Sequence, residues 1–187
     1  MCVGNNKVMS LLSFIWVVLL LVNVLLIQEN KKLKVLASRP DRALELKPGT
    51  ALPPLEGIDS HGNRQSISYG QDSRKTVLLV LSPRCRACNE NMPNWTAIIK
   101  GLDQQSFRLA AISLQPGGIE EYAGHYGISQ VPIITEIDPK YKIAYHLGLT
   151  PQTILIGSDG KAEKVWTGLL QSEAKQDIEQ ALKIRLP

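Results

Sequence analysis

The stretch "LSPRCRACNENMPNW", from Leu81 to Trp95, contains two of the chain's three cysteines. Cys85 and Cys88 are separated by two residues, so in a helix they lie about one turn apart. Arg84 and Arg86 stand directly before and after the first cysteine. Two cysteines at this spacing occur in metal sites, in structural disulfides and in redox centres. The residues around the pair distinguish among these three kinds of site.

The cysteine pair lies between a predicted strand and a predicted helix. Residues 76–82 read TVLLVLS, a continuous apolar and branched run that is typical of a strand buried on both faces. From Arg86 to Leu102 apolar side chains recur at helical spacing, and Pro93 inside this pattern is expected to kink the helix. Cys85 is therefore predicted at a helix N-terminus, where free amide groups and the helix dipole stabilise a thiolate.

A redox pair is the interpretation that these features favour. Arg84 and Arg86 add positive charge, which is expected to lower the pKa of the Cys85 thiol. Cys85 is then the predicted nucleophile, and Cys88, one turn deeper, is the predicted resolving thiol. A zinc site would need a second pair of ligands, and the three histidines stand singly in the sequence. A structural disulfide across so short a loop would add little stability.

Residues 50–187 alternate predicted strands and helices. The segment LPPLEGIDSHGNRQSIS predicts two short strands around a turn at residues 59–63. FRLAAISL, from Phe107 to Leu114, predicts a second inner strand, and QTILIGSDGKAEKVW predicts a late hairpin. The chain closes with a predicted amphipathic helix that Ser172 is expected to cap. This order indicates an α/β fold with a central mixed sheet flanked by helices.

The N-terminal segment has a different character. No residue from Val8 to Gln28 is charged, and as a helix this run would rise roughly 30 Å, enough to cross a bilayer core. A cleaved signal peptide is the main alternative, but QENKKLK follows the run where small residues would be needed. We expect residues 1–29 to form a membrane anchor, residues 30–49 a charged tether and residues 50–187 the globular domain.

The overall charge gives little support for nucleic-acid binding. The chain has 21 Lys and Arg against 17 Asp and Glu, a formal net charge of +4. The basic residues are scattered and form no stripe with interleaved aromatic residues. No nucleic-acid partner is therefore expected.

Three local motifs occur together in residues 50–187. Cys85-x-x-Cys88 is followed by Met92-Pro93, LGLTPQTILIGSDGK starts at Leu147, and DSHGN precedes the first inner strand. In this combination the chain resembles the thioredoxin superfamily, in particular its branch of membrane-anchored thiol–disulfide oxidoreductases and redoxins. Some members of that branch serve cytochrome c maturation.

The resemblance implies a thioredoxin-like fold with an N-terminal β-hairpin extension, preceded by one transmembrane helix. It implies that Pro151 is a cis-proline beside the cysteine pair, and that Thr150 presents its backbone to an extended partner peptide. The implied activity is disulfide exchange with a partner protein that carries thiols or a disulfide, without a cofactor. Two acidic positions of the family are missing, because Leu79 replaces a buried aspartate and Asn91 replaces a glutamate. No proton acceptor for Cys88 can therefore be named.

Two other functions stay open on the sequence alone. Ser82-x-x-Cys85 partly matches the peroxiredoxin pattern, although the proline expected four residues before the hydroxyl residue is Leu78. A copper- or haem-delivery binding protein on the same fold would need a histidine near the cysteines, for which His125 and His146 are the candidates.

The side of the membrane follows from function more than from charge. Lys31, Lys32 and Lys34 follow the apolar run, and by the positive-inside rule they favour a cytoplasmic domain. Lys7 and the terminal amine offset much of this difference. Disulfide catalysts act mainly outside the cytoplasm, so we expect a single-pass protein whose residues 30–187 are extracytoplasmic.

Overall fold

The computed structural model describes residues 4–37 and 45–187, which form two separate units. The first contains helix α1 (Gly4–Ala37), in which the large apolar side chains from Phe14 to Ile27 are exposed. Within the described residues, no helix has the combined length and apolar character that a membrane span requires. The predicted tether falls partly on residues 38–44, which lie outside the described ranges, as does Cys2.

The second unit is built on one seven-stranded sheet with the order β2-β1-β5-β4-β3-β6-β7. The pairs β3–β4 and β4–β5 are parallel and the other pairs are antiparallel, so the sheet is mixed as predicted. The strands are β1 (Leu55–Asp59), β2 (Arg64–Ile67), β3 (Lys75–Leu81), β4 (Phe107–Ser113), β5 (Ile133–Ile137), β6 (Gln152–Ile156) and β7 (Ala162–Thr167). The helices are α2 (Arg86–Gly101), α3 (Ile119–Tyr126), α4 (Pro139–Ala144) and α5 (Ser172–Leu182).

Strand β3 is apolar from Val77 to Leu81 because both faces of the sheet are covered there. Val77, Leu79 and Leu81 belong to a core cluster that also contains buried residues of α2, α3 and α5. Leu78 and Val80 belong to a second cluster on the other face, which includes Tyr141 on α4 and Tyr145 at its C-cap. Successive side chains of a strand point to opposite faces, so a strand between two cores must be apolar at every position. The cysteine pair follows the C-terminal end of this strand.

The predicted N-terminal hairpin is confirmed, and it extends the sheet at one edge. β1 pairs with β2 and, on its other side, with β5. The turn between the two strands is held by Asp59, whose Oδ1 accepts hydrogen bonds from the amides of His61 and Asn63 at 2.9 Å each. Gly57 is required where β1 meets β5, because a Cβ atom there would lie 2.5 Å from the carbonyl oxygen of Glu136.

Two details differ from the sequence-based expectations. Ser172 was expected to cap α5, but Gln171 occupies the N-cap position and its side chain makes no capping hydrogen bond. That expectation is wrong because Ser172 itself is the first residue of the helix. Leu46 is 2% exposed in the second core cluster, so packing begins before the predicted domain start at residue 50. Pro93 lies inside α2 as predicted, and the kink expected there stays a prediction.

Candidate active site

Cys85 occupies the N-cap position of α2, directly after the loop that follows β3. Its backbone is extended, with φ −89° and ψ 111°, and its sulfur accepts a hydrogen bond from the amide of Cys88 at 3.2 Å. The side chain is partly exposed. The first amides of a helix have no partner within the helix, so they stabilise negative charge on a residue at this position. The predicted placement of Cys85 at the helix start is confirmed.

Cys88 is fully buried behind Cys85, in the core cluster that contains Leu79, Met92 and Trp95. Burial, reinforced by hydrogen bonding with Cys85, raises the pKa of the Cys88 thiol to about 12. The two sulfurs therefore differ in the way that a nucleophile and a resolving thiol require. The first is accessible at a helix start, whereas the second is protected and protonated at neutral pH.

Thr150 and Pro151 lie beside the cysteine pair, as the resemblance implied. The Thr150–Pro151 peptide bond is cis. The Cys85 thiol donates to the carbonyl oxygen of Thr150 at 3.6 Å, and a hydrogen bond from the Thr150 side chain opposes the rise in the pKa of Cys88. Thr150 thus contacts Cys85 through its carbonyl, and its side chain favours the ionised form of Cys88. The sequence had assigned only its backbone.

The two arginines are less well placed to act on Cys85 than the sequence suggests. The Arg86 side chain is 93% exposed, and its Nε donates to Oε1 of Glu90 at 2.8 Å across one helical turn. Arg84 is exposed and lies at the rim of a groove next to the cysteines. The charge of Arg86 is already compensated, so Arg84 is the better candidate for an effect on Cys85. That effect stays a prediction.

Asn91 has a structural role that sequence reasoning missed. It is fully buried on α2, and its Oδ1 accepts hydrogen bonds from the Leu170 amide at 3.1 Å and from Nδ2 of Asn94 at 3.0 Å. Nδ2 of Asn94 also donates to the carbonyl oxygen of Leu170 at 3.2 Å. These bonds tie α2 to the segment after β7. The Nδ2 atom of Asn91 is buried and has no hydrogen-bond partner among the described residues.

A groove of about 570 Å³ opens between the cysteine motif and α3. Its wall includes Arg84, Asn89, Tyr122 and His125. His125 thus lies near the cysteine motif, whereas His146 follows α4 in a positive-φ conformation. Within residues 4–37 and 45–187, no group of three or more His, Cys, Asp or Glu side chains could hold a metal ion.

Solved structures with the same arrangement of strands and helices identify the fold. A thiol:disulfide interchange protein of the thioredoxin family from Chlorobium tepidum superposes with a TM-score of 0.57 and 20% identity, covering 74% of this chain and 97% of that one. The domain has a thioredoxin-like fold. A peroxiredoxin-like protein from Aquifex aeolicus, with a TM-score of 0.58 and 15% identity, covers 74% of this chain and 87% of its own. The thioredoxin-like fold is therefore shared by proteins of different described activities.

Curated relatives match the chain over a shorter stretch. Thiol-disulfide oxidoreductase ResA of Geobacillus thermodenitrificans is 29% identical over 101 residues, which is 53% of this chain and 56% of the relative. A protein of the same name from Geobacillus kaustophilus is 27% identical over 101 residues. The chain thus spans about half the length of the curated relatives that it matches. No protein-family model matches the chain.

Proposed function

We propose that this chain is a thiol–disulfide oxidoreductase that exchanges disulfides with a partner protein. One observation carries the proposal: a partly exposed Cys85 at the start of α2 lies in front of a fully buried Cys88, whose amide donates to the Cys85 sulfur at 3.2 Å. Thiol–disulfide exchange needs one accessible thiolate and a second thiol within reach of it. The names of the curated relatives support the same activity.

The reductive direction has two steps. The Cys85 thiolate attacks one sulfur of the partner's disulfide, which breaks that bond, forms a mixed disulfide and releases one partner thiolate. The Cys88 thiolate then attacks the sulfur of Cys85, which forms the Cys85–Cys88 disulfide and releases the second partner thiol. The partner gains two electrons and the cysteine pair loses two. Oxidation of a partner is the same sequence in reverse.

The segment around Thr150 is the proposed partner-binding site. The carbonyl of Thr150 faces the sulfur of Cys85, so a partner segment bound along this backbone would lie next to the reactive sulfur. Pro151 follows Thr150 directly, and the peptide bond between them is cis. The curated relatives are named for thiol–disulfide exchange, so the thiol peroxidase and the copper- or haem-delivery alternatives are not favoured, although His125 lies near the cysteine motif.

We extend the proposal to cytochrome c maturation, because members of the branch that the motifs resemble serve that process. The substrate would then be a disulfide within a C-x-x-C-H sequence, to which c-type haem is attached. A disulfide-bonded peptide with this sequence is therefore the test substrate of choice.

Incubation of the reduced chain with the oxidised C-x-x-C-H peptide should yield the reduced peptide and an intramolecular Cys85–Cys88 disulfide. Trypsin cleaves after Arg84 and Arg86, so the two cysteines fall on separate tryptic peptides unless a disulfide joins them. Mass spectrometry should find these two peptides linked. Free thiols at both positions after incubation, or a link from either cysteine to Cys2, would contradict the proposed function.

We also propose that the N-terminal segment tethers the domain to a membrane, with residues 30–187 on the extracytoplasmic side. The support is the uncharged run from Val8 to Gln28 and the exposure of the large apolar side chains from Phe14 to Ile27. The Cys85–Cys88 pair adds support, because disulfide chemistry is favoured outside the cytoplasm.

Protease added to intact spheroplasts that express the chain should degrade the domain, since the proposed topology exposes it. A cytoplasmic marker protein in the same sample should survive until the membrane is broken. If the domain is degraded only after lysis, the topology is inverted, and a reductive role in the cytoplasm replaces the extracytoplasmic one.

A further inference from the structure

The proposed mechanism leaves the second step without an evident source of thiolate. Cys88 must attack as a thiolate, yet it is fully buried and burial raises its pKa to about 12. Cys85 raises this pKa further, whereas hydrogen bonds with the backbone of Ser82 and the side chain of Thr150 lower it without offsetting the burial. A buried anion needs hydrogen-bond donors from the protein to offset the loss of water.

Tyr122 supplies a suitable donor on α3. Its side chain is 8% exposed and belongs to the same core cluster as Cys88. Its hydroxyl is buried and has no hydrogen-bond partner among the described residues. Burial, followed by the negative charge that Cys88 can carry, raises the pKa of Tyr122, so the phenol keeps its proton. A buried hydroxyl without a hydrogen-bond partner lowers the stability of the fold. A role for the hydroxyl at some stage of the protein's action would explain its presence.

We propose that the hydroxyl of Tyr122 donates a hydrogen bond that stabilises the Cys88 thiolate in the resolving step of disulfide exchange. This inference rests on the proposed function. In that step the Cys88 thiolate attacks the Cys85 sulfur of the mixed disulfide, the bond from Cys85 to the partner breaks, and the partner's disulfide is the two-electron oxidant. The proton that Cys88 loses ends on the departing partner thiolate, and Tyr122 keeps its own proton.

Tyr122 forms part of the wall of the groove, together with Arg84 and Asn89, although its hydroxyl is buried. Other titratable and charged groups lie around it and bear on any pH dependence. They are Cys85 at the start of α2, Arg84 before it, and Glu121, His125 and Tyr126 on α3.

The test separates the two steps of exchange in time. The full chain, in a Cys2→Ser background and a mild detergent, is reduced and mixed with excess 5,5′-dithiobis(2-nitrobenzoate) in a stopped-flow instrument. The first release of coloured thiolate reports the attack by Cys85, and the second reports resolution by Cys88. A Tyr122→Phe variant keeps the ring and removes only the hydroxyl. Tyr126→Phe, one turn further along α3 with its ring 4.8 Å from that of Tyr122, is the matched control.

Tyr122→Phe should slow the second phase by about three- to ten-fold and shift its pH–rate profile to higher pH by about one unit. The first phase should not change, and Tyr126→Phe should behave as the parent chain. An unchanged second phase in Tyr122→Phe, or an equal slowing in Tyr126→Phe, overturns the inference while the two-step exchange stands. Asn91 also carries a buried donor without a partner among the described residues, so Asn91→Ala is the competing variant. The inference is overturned if Asn91→Ala slows the second phase and Tyr122→Phe does not. If the parent chain shows no second phase, the proposed function and this inference both fail.

Discussion

Replacing Cys85 by serine is expected to lower the rate of disulfide exchange by at least about 10³-fold. The variant leaves Cys88 as the only thiol of the pair, fully buried, and burial is the largest cause that raises its pKa. At pH 7 a buried thiol with a raised pKa is almost entirely protonated, and the higher intrinsic nucleophilicity of its thiolate recovers only part of the loss. The measurement is the rate of reduction of the oxidised C-x-x-C-H peptide, in the Cys2→Ser background.

Cys88→Ser is the matched variant, with the opposite expected result. Cys85 stays at the helix start and should still attack, but no thiol follows to resolve the product. A mixed disulfide between Cys85 and the peptide should accumulate to about one per chain, visible as an added mass. If Cys88→Ser is inactive in the first step while Cys85→Ser reacts with the peptide, the roles of the two cysteines are reversed.

The residual reaction of Cys85→Ser should depend steeply on pH. Because burial raises the pKa of the Cys88 thiol, its alkylation rate should rise about ten-fold per pH unit and should still be rising at about pH 9. A plateau below pH 9 would show that Cys88 is not the protected thiol described above.

The fold could be predicted from the sequence because its strongest signals are local and periodic. Strand β3 is apolar at consecutive positions, α2 follows it with helical spacing, and the turn at Asp59 contains its own hydrogen-bonding side chain. Each of these patterns is set by neighbours along the chain. The placement of Cys85 at the start of α2 followed from them directly.

The rest of the site depends on contacts between residues far apart in the chain. Asn91 bonds to Leu170, and Thr150 approaches Cys85, across 79 and 65 residues respectively. The sequence predicts no role in the site for Tyr122, because a tyrosine on the apolar face of a helix is expected to serve only in core packing. Only the three-dimensional structure shows that its hydroxyl is buried without a partner among the described residues, in the core cluster that contains Cys88. The expectation for Ser172 failed for a related reason. The path of the backbone before α5 places Gln171 at the N-cap position and Ser172 in the helix.

Trp95→Ala should be among the most destabilising single substitutions in the domain, and it tests the packing behind the site. Trp95 is fully buried on α2, and its indole Nε1 donates to Oγ1 of Thr153 on β6 at 2.9 Å. Loss of a buried aromatic side chain of this size costs about 3–5 kcal/mol, through lost burial and the cavity that remains. The measurement is urea unfolding of the full chain followed by near-ultraviolet circular dichroism, which reports the packing of aromatic side chains.

Thr153→Val separates the hydrogen bond from the packing at the same contact. It keeps the shape of the side chain and leaves the indole N–H without an acceptor, which should cost about 1–3 kcal/mol. We therefore expect Thr153→Val to lower the free energy of unfolding by clearly less than Trp95→Ala does. Because Trp95 and Cys88 share one core cluster, Trp95→Ala should also loosen the protection of Cys88 and increase its alkylation rate in the Cys85→Ser background. An alkylation rate that stays unchanged while the domain is destabilised would mean that Cys88 is shielded by other parts of its surroundings, such as Leu79 on β3, and not by the packing of α2 against β6.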